Sequence, residues 1–169
     1  MKSGGGKQKG GSFEREICKK LSEWVSNGKS DDLFWRSAMS GGRATVRKKK
    51  NQETASGQGD ITAVTPAGNK LTDRYVVECK HYKSMGLDQH VYGQGPLEVI
   101  WDKLIKECVG GTNSKKPMLI FKENRKPILI GLDRPIKGIV GLAVYWSDIC
   151  LYRFEGVLCL NFDTFIKNE

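Results

Sequence analysis

The stretch Tyr75-Val-Val-Glu78-Cys79-Lys80 constrains the fold more than any other part of the chain. Its aromatic and β-branched opening reads as a strand. Side chains alternate along a strand, so Val76, Glu78 and Lys80 share one face, with Tyr75, Val77 and Cys79 on the other. A carboxylate and an amine closing an apolar strand need a reason to be there. Gly59-Asp60-Ile61 lies one hairpin upstream, and an Asp so placed can converge on the same face. Together Asp, Glu and Lys supply what magnesium-dependent phosphodiester hydrolysis needs: two hard oxygen ligands and an ammonium beside the attacking water. Singly, each has an ordinary reading. Asp60 can be a strand-entry or turn residue after glycine, and Lys80 an edge lysine whose stem lies along apolar surface.

Length and composition narrow the setting. A chain of 169 residues is read as one domain with one core. No run approaches the roughly 18 apolar residues of a membrane helix. Residues 1–11 hold glycine and lysine without an apolar segment, which excludes a secretory signal and predicts a disordered basic lead-in to a domain spanning 12–169. Five cysteines, at 18, 79, 108, 150 and 159, are odd in number and lack CxxC spacing. They are expected as reduced, mostly packed thiols of an intracellular protein, cytoplasmic or nucleoid-associated, or inside a virus-infected cell. Lysine and arginine number 28 against 19 acids, a formal charge of +9, which suggests a polyanionic partner such as nucleic acid. Arg43, Arg47, Lys48, Lys49 and Lys50 put five of those charges into eight residues. The plain reading of that run is a solvated loop. Its place between a candidate acidic residue and Asp60 favours phosphate contact.

The elements are predicted as follows. Ser12 to about Asn27 forms a helix capped by Ser12 and stopped at Asn27-Gly28. Phe13, Ile17, Cys18, Leu21, Trp24 and Val25 fall within an arc of about 140°. Arg15, Glu16, Lys19, Ser22 and Glu23 lie opposite. Glu14 sits inside the apolar arc, where a buried carboxylate must meet a cation, a metal or a donor network; a structural ion pair and a role in a site are both open. Leu33–Ala38 is a short strand, and residues 39–58 a long Gly-, Ser- and Lys-rich loop. Asp60–Thr65 is a strand, Pro66–Asn69 a turn, and Arg74–Lys80 the antiparallel return. Leu97, Ile100, Trp101, Leu104, Ile105 and Cys108 have helical spacing, stopped by Gly110-Gly111. Strands at Pro117–Phe121 and Pro127–Leu132 follow, with further short strands in Ala143–Trp146, Ile149–Phe154 and Val157–Phe162. Trp35, Trp101 and Trp146 could suggest base stacking, but most sit in apolar runs, so core packing is the default expectation.

The combination of an inward helix carboxylate, an Asp-led strand, Glu-x-Lys on the next strand and an amphipathic helix resembles the PD-(D/E)XK nuclease superfamily. The closest likeness is to archaeal-type Holliday-junction resolvases and related small phage endonucleases. It is carried by Gly10-Gly-Ser-Phe-Glu14-Arg-Glu-Ile, Trp35-Arg36-Ser37-Ala38-Met39-Ser40, Gly59-Asp60-Ile61 and Val77-Glu78-Cys79-Lys80, and covers about residues 10–121. The resemblance implies an α/β, restriction-endonuclease-like αβββαβ core, with a central mixed sheet flanked by helices. It implies Mg²⁺, with Mn²⁺ able to substitute, bound by Asp60, Glu78 and the Cys79 backbone carbonyl. Glu14 would add a ligand through a water or a second ion, and Lys80 would orient or polarise the attacking water. Arg36 matches a basic residue near the scissile phosphate, and Ser40 a loop serine, with Ser37 as the second choice. The implied substrate is branched or junction DNA, cut by a homodimer, since symmetric nicking of a four-way junction needs two active sites. Arg43, Arg47 and Lys48–Lys50 would hold the arms, with Tyr82 as a DNA-facing aromatic.

Two rival functions remain from sequence: a phage nicking, packaging or repair nuclease of the same fold, and a basic DNA-binding module whose acids are structural. His81 and His90 are the only histidines, which argues against a histidine-based metal site. No GxxxxGK[ST] pattern occurs, so no nucleotide cofactor is expected.

Overall fold

An apolar stripe recurring every three or four residues has to be buried, and helix α1 buries it. The computed structural model describes residues 5–37, 58–85, 95–109, 115–133, 152–154, 157–163 and 166, with α1 spanning Gly5–Val25. Phe13, Ile17, Cys18 and Leu21 are buried along its inner side. Each of the larger three is stabilising by roughly 1.5–3 kcal/mol relative to exposure. The expected stop is present. Asn27 and Gly28 take positive φ, 52° and 77°, and the Gly28 N–H donates to Glu23 O at 2.7 Å, closing the helix as glycine readily does.

Its start differs. The helix begins at Gly5, so Ser12 lies inside it rather than capping it, and residues 5–11 are helical instead of a disordered lead-in. Gly11 shows the reason: it is buried, and a Cβ added there would lie 3.2 Å from Arg36 Nη1. A close side-chain approach outweighs glycine's poor helix propensity. Gly10, by contrast, has nothing within 4 Å of an added Cβ. Gly10→Ala is therefore expected to raise stability by about 0.5–1 kcal/mol, read as a higher midpoint of urea unfolding. A lowered midpoint would mean that this turn is not helical in solution.

Ser22 is a second correction. Its placement with the outward charged residues fails, for it is fully buried. The hydroxyl donates to Cys18 O at 2.8 Å and accepts the N–H groups of Leu33 and Phe34 at 2.9 and 3.2 Å. A small side chain thus satisfies two backbone donors where the chain enters its first strand.

Strands β1 (Phe34–Arg36) and β2 (Ile61–Ala63) pair antiparallel, Phe34 with Ala63, Trp35 with Thr62 and Arg36 with Ile61. The predicted turn after β2 is instead a short helix, α2, Pro66–Thr72. Thr65 is extended (φ −131°, ψ 155°) and Pro66 opens the first turn, where its missing N–H costs nothing. Gly68 lets α2 pack on the hairpin: an added Cβ would lie 2.9 Å from both Ala63 Cβ and Leu33 O. The ladder partner of β2 is thus β1, and the tight β2–β3 hairpin does not form.

Residues Met1–Cys79 make one compact unit and Lys80–Glu169 a second. Strand β3 (Tyr75–Tyr82) runs across that boundary. In the second unit its end borders a five-stranded sheet of order β3-β4-β5-β7-β6, where β4 is Lys116–Glu123, β5 Ile128–Asp133, β6 Tyr152–Phe154 and β7 Val157–Asn161. Strand β4 carries an unbroken buried run, Met118–Phe121, as a strand covered on both faces does. Helix α3, Pro96–Val109, buries Leu97, Trp101, Leu104 and Cys108 of its predicted apolar face, while Ile100 is half-buried and Ile105 exposed. Buried Glu123 accepts the Met85 N–H at 2.6 Å and pairs with Lys126 at 2.5 Å. These bonds tie the segment after β3 to the end of β4.

The series α1-β1-β2-β3-α3-β4 is the expected αβββαβ order with α2 inserted. The fold is α/β and consistent with a PD-(D/E)XK-like core. Among the described residues no helix is long and apolar enough to cross a membrane. Cys18, Cys79 and Cys108 are buried free thiols, as expected. Ala143–Trp146, Cys150 and the side chain of Cys159 lie outside the described residues.

Candidate active site

The site begins with a glycine that nothing else can replace. Gly59 has φ 83°, and a Cβ there would fall 2.5 Å from Val77 O and 3.0 Å from Val77 N. Only an α-carbon without a side chain can lie this close to β3. The next residue exploits the approach. Asp60 donates its N–H to Val77 O at 2.7 Å, and its Oδ2 accepts the Cys79 N–H at 2.9 Å. Its carbonyl accepts the Ser37 N–H at 2.8 Å. The carboxylate takes the place of the acceptor that a neighbouring strand would offer. Val77 and Cys79 flank Glu78, so Asp60 docks beside the position from which Glu78 projects. Asp60 is held against β3 by this docking and not by the predicted hairpin.

Asp60, Glu78 and Lys80 are each partly exposed. Lys80 and Tyr82 follow Glu78 at alternate positions of β3 and so share its face. Tyr82 is 40 % exposed.

Glu14 meets a cation. Its side chain is only 12 % exposed, and Arg36 Nε donates to Glu14 Oε2. Arg36 lies against Gly11 on the same helix, so α1 and β1 fix the guanidinium between them. The field of these acids is felt at two neighbouring thiols. Burial pushes the Cys79 thiol well above its ordinary range, and the charges of Asp60, Cys18, Glu14 and Glu78 push the same way. Burial, then Glu14, pushes Cys18 up to about 11, while Arg36 opposes them. Cys79 therefore lies in the combined field of Asp60, Glu14 and Glu78. A neutral, buried thiol at that point is no ligand for a hard cation.

Among the described residues no group of three or more His, Cys, Asp or Glu side chains is arranged to hold a metal ion. What the first unit offers is Asp60, docked on Val77 and Cys79, and Glu78 on the strand between those two residues. Hard oxygen donors few in number suit Mg²⁺, which keeps several of its waters. Carboxylates and backbone carbonyls are hard donors, the kind that ion takes.

Ser40, Arg43, Arg47, Lys48, Lys49 and Lys50 lie outside the described residues. In sequence they fall between Ser37 and Gln58, and the Ser37 N–H donates to the Asp60 carbonyl. Trp35 was not recognised as a surface residue. Expected in the core, it is 59 % exposed, whereas Trp101 is buried. The signal was strand alternation: Phe34 is buried and Arg36 turns to α1, which leaves Trp35 outward.

An αβββαβ chain with an Asp docked beside Glu-x-Lys has the make-up of a PD-(D/E)XK nuclease. A family model described as "Phage putative PDDEXK endonuclease" matches residues 5–165, and the chain belongs to that family. Membership makes it an endonuclease of phage type with DNA as substrate. Searches of curated proteins and of solved structures return no match.

Proposed function

We propose that the chain is a Mg²⁺-dependent endonuclease that cuts branched DNA, with four-way junctions as leading substrate, and acts as a homodimer. The observation that supports this most is the docking of Asp60 across Val77 and Cys79, which flanks Glu78 with a second carboxylate. Asp60, Glu78 and the Cys79 carbonyl would hold the ion. When bound, the ion acidifies the attacking water and offsets charge growing on the phosphate. Lys80 adds a fixed positive charge on the same face and orients that water. Arg36, braced by Glu14 and by α1, reaches for the scissile phosphate; Glu14 is itself a ligand only through a water or a second ion. Ser40 is assigned to the same phosphate. The five cations of residues 43–50 bind DNA arms, and Tyr82 lies against the DNA. Cleavage leaves a 5′-phosphate and a 3′-hydroxyl. Mn²⁺ substitutes for Mg²⁺.

The test compares labelled junction, flap, nicked and linear DNA of one sequence, with Mg²⁺ and with chelator, beside Glu78→Gln. Cutting of the branched forms only, lost with chelator and in the variant while binding persists, is the expected result. Cutting of all forms alike points to a nicking or packaging nuclease instead. Binding without breaks in either cation leaves a DNA-binding module. Binding should also weaken steeply with salt, since phosphate contacts release counterions.

A further inference from the structure

Strands β3 and β4 bring their carboxyl ends to one edge of the second unit. The carbonyl of Tyr82, the last residue of β3, accepts the N–H of Asn124, the first residue past β4, at 3.2 Å. The Met85 N–H donates to Glu123 Oε1 at 2.6 Å. These two bonds hold Lys83 and Ser84 beside the turn of residues 124–126 that leads into β5. Lys83, Arg125 and Lys126 are exposed. Glu123 is the single acid in residues 82–85 and 122–126; it is 4 % exposed and shares its charge with Lys126. The outer surface of the cluster is therefore positive.

Arg125 adds an independent sign. Its φ is 63°, in the left-handed region, where glycine or asparagine is the easy choice for a hairpin turn. A long cation placed where the backbone disfavours it points to a use outside the fold. Backbone phosphates take hydrogen bonds from Lys, Arg, Ser and Asn side chains. Lys83, Ser84, Asn124 and Arg125 are such a set, all exposed on this edge.

We infer that Lys83, Arg125 and the turn of residues 124–126 seat the phosphate backbone of a duplex arm of the DNA substrate. Such contacts carry no sequence information; they fix register and orientation. Strand β3, which carries Glu78, ends in this cluster. The inference rests on the nuclease reading and deepens it, because it names a surface outside the acid site that holds the substrate.

The experiment measures fluorescence anisotropy of two labelled blunt duplexes of unrelated sequence, with the full chain in chelator, over a range of salt. Lys83→Gln with Arg125→Gly should bind both duplexes more weakly. The slope of log affinity against log salt should become shallower by about 1 for each charge removed. Glycine suits a positive φ, so Arg125→Gly keeps the turn folded and should not lower Tm. If the double variant does unfold, Lys83→Gln by itself carries the test, with a change of about 1 expected. Arg125→Lys should keep the parent slope. Lys103→Gln with Lys106→Gln takes two charges from exposed positions on α3 and should leave the slope as it was. An unchanged slope in the first variant, or an equal loss in the α3 control, overturns the inference. So does a loss on one duplex alone, which would make these contacts to bases. If the unaltered chain binds neither duplex, the nuclease reading falls together with this inference; binding that ignores Lys83 and Arg125 sinks the inference alone.

Discussion

Asp60→Asn is expected to lower Mg²⁺-dependent cleavage of branched DNA by at least about 10³-fold, the scale on which removal of an electrostatic catalytic group is felt. The substitution is chosen for what it preserves. The amide oxygen can still accept the Cys79 N–H that Asp60 Oδ2 accepts at 2.9 Å, so the chain stays docked on β3. What disappears is the negative charge that a divalent ion requires. Binding in chelator should persist and even tighten slightly, because one carboxylate fewer faces the phosphates. Asp60→Ala removes both functions and should lose stability as well. Single-turnover cleavage beside anisotropy and thermal unfolding separates the two cases. An Asn variant that cuts at the parent's rate would take Asp60 out of the site.

Gly59→Ala is expected to be among the most damaging single-methyl additions in the described chain. The new Cβ would sit 2.5 Å from Val77 O, at a backbone φ of 83°. Strain at such a φ and overpacking against backbone together cost about 2–5 kcal/mol. For a chain of this size that is roughly 4–20 °C in Tm. Cleavage should fall with it, because relief of the clash pushes Asp60 off Val77 and Cys79. Gly10→Ala is the internal control: the same chemical change, placed where nothing is met, with the opposite sign. A Gly59→Ala protein with the parent's Tm and activity would show that the close approach does not exist in solution.

Much of this was readable from residues, for a physical reason. Strongly periodic or unbroken apolar runs announce themselves, and so α3, β3, β4 and β5 lie where the pattern puts them. Asn27-Gly28 ends α1 because only a few residue types tolerate positive φ. What was misread depends on contacts distant in sequence. Gly11 is helical because Arg36, in another element, lies against it. Ser22 is inside because its hydroxyl meets N–H groups eleven and twelve residues away. Pro66 was taken for a turn, although a proline after an extended threonine equally opens a helix. The nearness of Asp60 to β3 arises through another geometry than the one expected. A hairpin was expected to join them; instead a glycine lets the chain press edge-on against β3.

The hydrogen bond from Ser37 to the Asp60 carbonyl fastens together the points where residues 38–57 leave and rejoin the described chain. Loop-closure entropy rises only with the logarithm of length. Exchanging residues 41–57, which leaves Ser40 in place, for a longer, shorter or differently charged stretch should therefore disturb the docking of Asp60 on β3 very little. If the proposed contacts of residues 43–50 with DNA hold, such a graft changes substrate preference while Asp60 keeps its place on β3.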